Sequence, residues 1–135
     1  MQMTANTAGT IGSRKSPGVD EPDLRAEHRT CFWLVDELNA VLLDQRSKQH
    51  IQDQVCRLLA AVTTHFRHED GLFGRYGYLD GPRHSERHAE ILAKCRKLSD
   101  KLNNARHSAV WIECGSRIGR MLEDHLEEER VIYGN

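Results

Sequence analysis

Four stretches of this chain carry inward-type residues at alternating steps of four and three, and that spacing leaves few folds open. Residues so spaced fall along one face of an α-helix and form a seam that must be buried against other helices. The first stretch, over about 21–44, runs Leu24, His28, Cys31, Val35, Leu38, Leu42, widened by Phe32 and Val41. The second, about 48–76, runs Ile51, Val55, Leu58, Val62, His65, Glu69, Leu72. The third, about 82–102, runs His84, His88, Ile91, Cys95, Leu98, Leu102. The fourth, about 108–131, runs Trp111, Cys114, Ile118, Met121, His125, then Glu128 or Glu129, then Ile132. No period-two alternation competes anywhere, so the expected fold class is all-α.

Breakers stand where the seams stop. Asp20-Glu21-Pro22-Asp23 reads as a helix start, with acidic residues and a proline in the first turn. Residues 45–48 form a short polar connection in which Ser47 suits an N-cap. Gly77 to Pro82 is a turn with breakers at both ends, and Asn103-Asn104 marks the last break. Helices joined by such short links pack antiparallel, which predicts an up-down-up-down four-helix bundle over 20–135. Residues 1–19 have low apolarity and no period, so a disordered N-terminal tail is expected there.

Each seam exchanges apolar for polar residues near one helix end: early in the first, late in the second, early in the third, late in the fourth. In an antiparallel bundle those four places coincide. His28 lies 17 residues before the first turn at Gln45, and His65 lies 20 after it. His88 lies 16 before Asn104, and His125 lies 21 after it. At roughly 1.5 Å rise per residue the four levels match. The paired positions His65/Glu69, His84/His88 and His125/Glu129 are each four apart, so each pair shares a helix face. Seam and height therefore converge on one polar cluster in an apolar core.

Burying seven such side chains without partners would cost several kcal/mol in total. Five imidazoles cannot easily satisfy one another, because each neutral ring needs both a donor and an acceptor. A metal removes the difficulty by accepting a lone pair from each ring. Seven donors exceed the four that a structural zinc takes and suit two ions bridged by carboxylates. Imidazole with carboxylate favours iron, with manganese or zinc as substitutes. The Glu-x-x-His motif of ferritin-like bundles is absent from the seam histidines, and His-x-x-x-Glu occurs twice instead. The expected metal ligands are His28, His65, Glu69, His84, His88, His125 and Glu129.

Composition narrows the rest. A formal net charge of −1 gives no basic surface for nucleic acid or membrane. No apolar run approaches the roughly 20 residues that span a bilayer, and the N-terminus lacks the apolar core of a secretory signal, so a cytoplasmic protein is expected. The four cysteines form no CxxC, and Cys31, Cys95 and Cys114 fall on apolar seams as small hydrophobes. His50, His68 and His107 fall off the seams and read as solvated surface residues.

On these residues the chain resembles the bacterial hemerythrin-like proteins, from about residue 20 to the end. The resemblance is carried by His28 before an apolar run, by His65-Phe66-x-x-Glu69, by Tyr76-Gly77-Tyr78, and by His84-x-x-x-His88. Spacings of 37, 4, 15, 4 and 37 residues separate His28, His65, Glu69, His84, His88 and His125. The resemblance implies that His84, His88 and His125 hold one iron and that His28 and His65 hold the other. Glu69, an acidic residue of the fourth helix and a solvent-derived oxygen would bridge them, and O₂ would bind end-on at an open position and leave as O₂. Two departures stand out. The family's acid lies five residues past the last histidine, where this chain has Arg130, so the expected ligand moves to Glu129, with Glu128 as the alternative. The bulky apolar residues three past the first and last ligand histidines are here Cys31 and Glu128, and an inward Glu128 would favour autoxidation, peroxide or NO chemistry. The implied function is O₂ carriage, storage or sensing, a sensor needing a separate signalling partner. The alternatives are a di-iron enzyme acting on H₂O₂ or NO, and an iron-holding regulatory module.

Overall fold

The computed structural model describes residues 22–45, 47–76 and 81–133. The tail expected over 1–19 and residues 77–80 of the third-helix turn lie outside the described residues. The rest is helical: α1 Leu24–Leu43, α2 Lys48–Tyr76, α3 Gly81–Asn104, α4 Ser108–Glu128 and a single turn, α5 Arg130–Tyr133. Helices α1 to α4 pack in a ring in which each touches its two neighbours, with a lighter α2–α4 diagonal. This is the expected four-helix bundle, and no strand occurs among the described residues.

The helix ends follow from local chemistry. The first helix starts later than the acidic run suggests. Asp23 is its N-cap, accepting the Ala26 N–H at 3.0 Å, and Glu27 is the acid of the first turn. At the other end Asp44 donates its N–H to the Ala40 carbonyl, and Gln45 turns into the left-handed region at φ 52° to reverse the chain. Ser47 caps α2, its hydroxyl accepting the His50 N–H at 3.4 Å. Lys48 then reaches across to α3 and donates to the Asn103 and Ala105 carbonyls, at 2.9 and 2.7 Å. The Trp111 indole N–H also reaches Ala105, at 3.0 Å, so one end of the bundle is laced by side chains that satisfy terminal carbonyls.

The seams are buried nearly as spaced, with a drift toward the C-termini of α2 and α4. Phe73 is buried where Leu72 is only half-buried, Leu122 is buried where Met121 is half-buried, and Tyr133 rather than Ile132 turns inward. A straight helix advances 3.6 residues per turn, so a seam counted at 3.5 slides about 20° per heptad. From the laced end upward the core is Leu102, Ile51, Leu38, Ile118, Val55, Val35, Leu58 and Val62. Above it the packing turns polar: His28, His65, Glu69, His88, His125 and Glu129 are all buried.

Candidate metal centre

Two helices, α3 and α4, aim three imidazoles at one carboxylate. The Nε2 atoms of His84, His88 and His125 lie 2.9, 3.2 and 3.0 Å from Glu129 Oε2. A carboxylate oxygen offers about two lone-pair sites, so three ring nitrogens around it exceed ordinary hydrogen bonding. Glu129 reaches this point because α4 stops there: the helix is capped at Glu129, and the chain restarts as α5. Glu128 turns the other way, 57% exposed, and pairs with Arg87 at 3.2 Å. Its carboxyl also lies 3.4 Å from His125 Nδ1, on the side of that ring away from Glu129.

On the opposite side, His65 Nε2 lies 3.0 Å from Glu69 Oε2. Glu69 also faces the three-histidine group, with Oε1 at 3.3 Å from His88 Nε2 and 4.0 Å from His84 Nε2. Two donor groups result, each with atoms within 4.8 Å of one another: His84, His88, His125 and Glu129, and His65, Glu69 and Glu129. Glu129 belongs to both. His28 is buried beside them, its ring 5.8 Å from that of His65, but it joins neither group. Its Nε2 lies 3.0 Å from the Leu126 carbonyl.

The outer nitrogens explain what the inner ones are for. His88 Nδ1 lies 2.8 Å from Asp70 Oδ1, and His65 Nδ1 lies 3.0 Å from Glu27 Oε1. A carboxylate only accepts, so each Nδ1 carries the proton. In a neutral ring Nε2 then holds a lone pair, and that lone pair faces Glu69 or Glu129. Lone pair against carboxylate at about 3 Å is repulsive unless a proton or a cation stands between. Without a cation, protons fill the gap. Burial alone would lower His88, yet the Glu129 and Glu69 carboxylates outweigh it and raise the group to about 9. His65 is raised in the same way by Glu69 and Glu27 against its burial. Burial would raise both carboxyls, but the ring contacts win: His65 and His88 hold Glu69 below the usual range, and His125 and His88 hold Glu129 well below it. His28 differs: burial lowers it, and the Leu126 carbonyl only partly opposes that.

A metal fits this donor set. Among the described residues, His65 Nε2, Glu69 Oε1, Glu129 Oε1 and His125 Nδ1 are buried without a hydrogen-bond partner. The first is near Glu69 in distance but is not aligned for a hydrogen bond, the arrangement expected of donors converging on a common point. Buried polar atoms in native folds are nearly all satisfied, so such a cluster calls for an ion. No cysteine joins either donor group, and burial pushes Cys31 up to about 12 and Cys95 up to about 11. Phe66 stacks on His88 at 3.8 Å and meets His125 edge-on at 5.2 Å, fixing both rings.

Three participants were invisible to the seam rule or passed over by it. Glu27 and Asp70 sit next to seam residues, off the counted face, and nothing in a four-three pattern selects them. Glu27 also binds His68 Nδ1 at 2.7 Å, so His68 is half-buried and paired rather than a plain surface histidine. Tyr133 is buried, and its phenol donates to Glu69 Oε2. It lies four residues past Glu129, and that step was a readable signal.

Fold and site define a helical-bundle protein with a buried histidine–carboxylate cluster suited to a cation. The family model for the hemerythrin HHE cation-binding domain matches residues 21–134, and the chain belongs to that family. No curated protein matches the chain, and no solved structure does. No helix among the described residues is long and apolar enough to cross a membrane.

Proposed function

We propose that this domain holds two iron ions and binds O₂ reversibly, for carriage, storage or sensing in the cytoplasm. The observation that carries the reading is the pair of carboxylates, Glu69 and Glu129, held between imidazoles, of which His88 and His65 donate their outer Nδ1–H to Asp70 and Glu27. His84, His88 and His125 would hold one ion and His65 the other, with Glu69 and Glu129 reaching both. His28 lies beside the second position and could join it only by releasing the Leu126 carbonyl. When bound, a pair of ferrous ions supplies the two electrons that an O₂ molecule takes up and returns.

The protein's own part is selective. Five imidazoles and two carboxylates give the site less negative charge than a carboxylate-rich centre, which favours the reduced ions. The apolar core beneath keeps water from that side.

A second reading, a di-iron enzyme acting on H₂O₂ or NO, is favoured by a cavity of about 370 Å³ against the three-histidine group. Arg83, Arg87 and Glu128 line it beside His84 and His125, together with Val131 and Ile132. Anaerobic reduction followed by O₂ exposure separates the two. A coloured adduct that reverses under vacuum supports O₂ binding, whereas bleaching with sustained turnover of H₂O₂ or NO supports the enzyme. Metal content of about one ion per chain or less would refute the dinuclear centre common to both.

A further inference from the structure

We propose that Tyr133 is an oxygen donor to the metal position outlined by His65, Glu69 and Glu129, in the place that His28 leaves unfilled. The inference rests on the two-ion reading above and adds a ligand to it.

The two halves of the centre are unequally supplied. One has three ring nitrogens, the other only His65 Nε2. The nearest spare nitrogen, His28 Nε2, is committed to the Leu126 carbonyl at 3.0 Å. A carbonyl only accepts, so that nitrogen carries a proton and has no lone pair to give a metal.

Tyr133 stands where the donor is lacking. It is 5% exposed, and its hydroxyl meets Glu69 Oε2, the same oxygen that lies 3.0 Å from His65 Nε2. Its ring lies 4.4 Å from that of His28 and 6.0 Å from that of His65, so the three rings form a triangle beside Glu69. The backbone delivers it deliberately. The break at Glu129 opens α5, whose first turn closes with Ile132 N–H donating to the Glu129 carbonyl at 2.9 Å. One turn of chain thereby presents Glu129 to both donor groups and Tyr133 to the poorer one.

Coordination needs no oxidant. The phenol O–H breaks, its proton leaves to solvent, and the freed oxygen lone pair goes to the ion, as a thiol is deprotonated by the metal it binds. An anionic phenolate matches a ferric ion better than a ferrous one. The ligand would therefore hold this iron in the oxidised form more strongly than an imidazole does, and would bias the domain from O₂ release toward a stable ferric state.

The test is iron loading of the full chain, air oxidation, metal analysis, and visible and resonance Raman spectra. Two irons per chain with an intense phenolate-to-ferric charge-transfer band are expected, and Tyr133→Phe should keep iron and helicity while losing the band. Ring-deuterated tyrosine in a Tyr76→Phe, Tyr78→Phe background, where Tyr133 is the remaining tyrosine, should shift the Raman ring modes, a readout independent of how Tyr133→Phe folds. Iron-loaded wild-type protein without the band, or a band that survives Tyr133→Phe, overturns the proposal. One iron per chain with a band that needs Tyr133 overturns the dinuclear reading and leaves the ligand standing. Failure to bind any iron sinks both.

Discussion

The two ends of this bundle are made by the same four helices on the same seams, yet they are held together by different forces. At the laced end Ile51, Leu102 and Ile118 are fully buried, and the chain ends are closed by Lys48 and Trp111. Among the described residues there, one buried side-chain atom, Gln54 Oε1, lacks a hydrogen-bond partner. At the other end six buried polar residues, Glu69 and Glu129 among them, crowd together, with four atoms left without hydrogen-bond partners. One end is a folded core. The other is a cavity-like set of donors whose stability depends on what sits among them.

The largest expected effect is therefore metal removal. An ion bound at a thousandfold excess over its dissociation constant contributes about 4 kcal/mol, on the order of 10 °C in Tm for a domain this size. Chelation should lower Tm by that order, with hydrogen exchange accelerating around His65, His88 and His125 and little changed near Ile51 and Leu102. Uniform loss of protection along all helices would break the comparison. Glu129→Ala should behave like the chelated protein, because Glu129 serves both donor groups, and its metal affinity should fall by more than about 100-fold. Glu128→Ala should retain metal.

Ile118→Ala should do the reverse. It removes a fully buried side chain from the apolar part and should cost roughly 2–5 kcal/mol, measured by urea unfolding, with metal stoichiometry unchanged. Loss of metal in that variant would mean that the two ends are one cooperative unit.

The ends should also differ in pH response. In chelated protein, His88 rises from an ordinary 6.5 to about 9, and His65 rises as well, so their contribution is complete below about 6.5 and is lost as pH climbs through about 9. Glu69 and Glu129 are lowered, so theirs is present above about 4.5 and lost in acid. His28, lowered by burial, acts only below about 6.5, where its contribution grows as pH rises, and leaves the alkaline window unchanged. Chelated protein should lose Tm between pH 6.5 and 9, while the loaded form, whose ions replace those protons, should not. Parallel curves would count against protons and metal sharing the same positions. A smaller change is expected from Asp70→Asn, which weakens the orientation of His88 and should cost about 10- to 100-fold in metal affinity.

The apolar end was almost wholly legible in the sequence, because burial of a seam depends only on spacing. Val35, Leu38, Ile51, Val55, Leu58 and Ile118 were counted inward and are inward. The polar end was legible only as far as spacing governs it. His65, Glu69, His88, His125 and Glu129 converge as matched heights require. His28 shares the level, but its ring nitrogen turns to Leu126, and side-chain direction is set by local packing that no period encodes. Glu27 and Asp70 flank the counted face, where a carboxylate usually means solvent. Leu122, Leu126 and Tyr133 were missed through the drift of a 3.6-residue helix past a 3.5-residue count.

The finest distinction lies within one helix, between Gly115 and Gly119 of α4. An added methyl at Gly119 would meet Leu38 Cδ2 at 3.4 Å, ordinary contact, so Gly119→Ala should gain helix propensity of about 0.5–1 kcal/mol. At Gly115 it would lie 3.0 Å from Leu42 Cδ2 and 3.3 Å from Ile51 Cγ2, between two core side chains of the laced end. There the same propensity gain is set against displacement of Leu42 and Ile51, and overpacking of that kind costs about 1–3 kcal/mol. Gly115→Ala should be neutral to destabilising, and Gly119→Ala stabilising. Equal gains at both sites would mean that the laced end yields as readily as a surface, and that its rigidity relative to the metal end has been overstated.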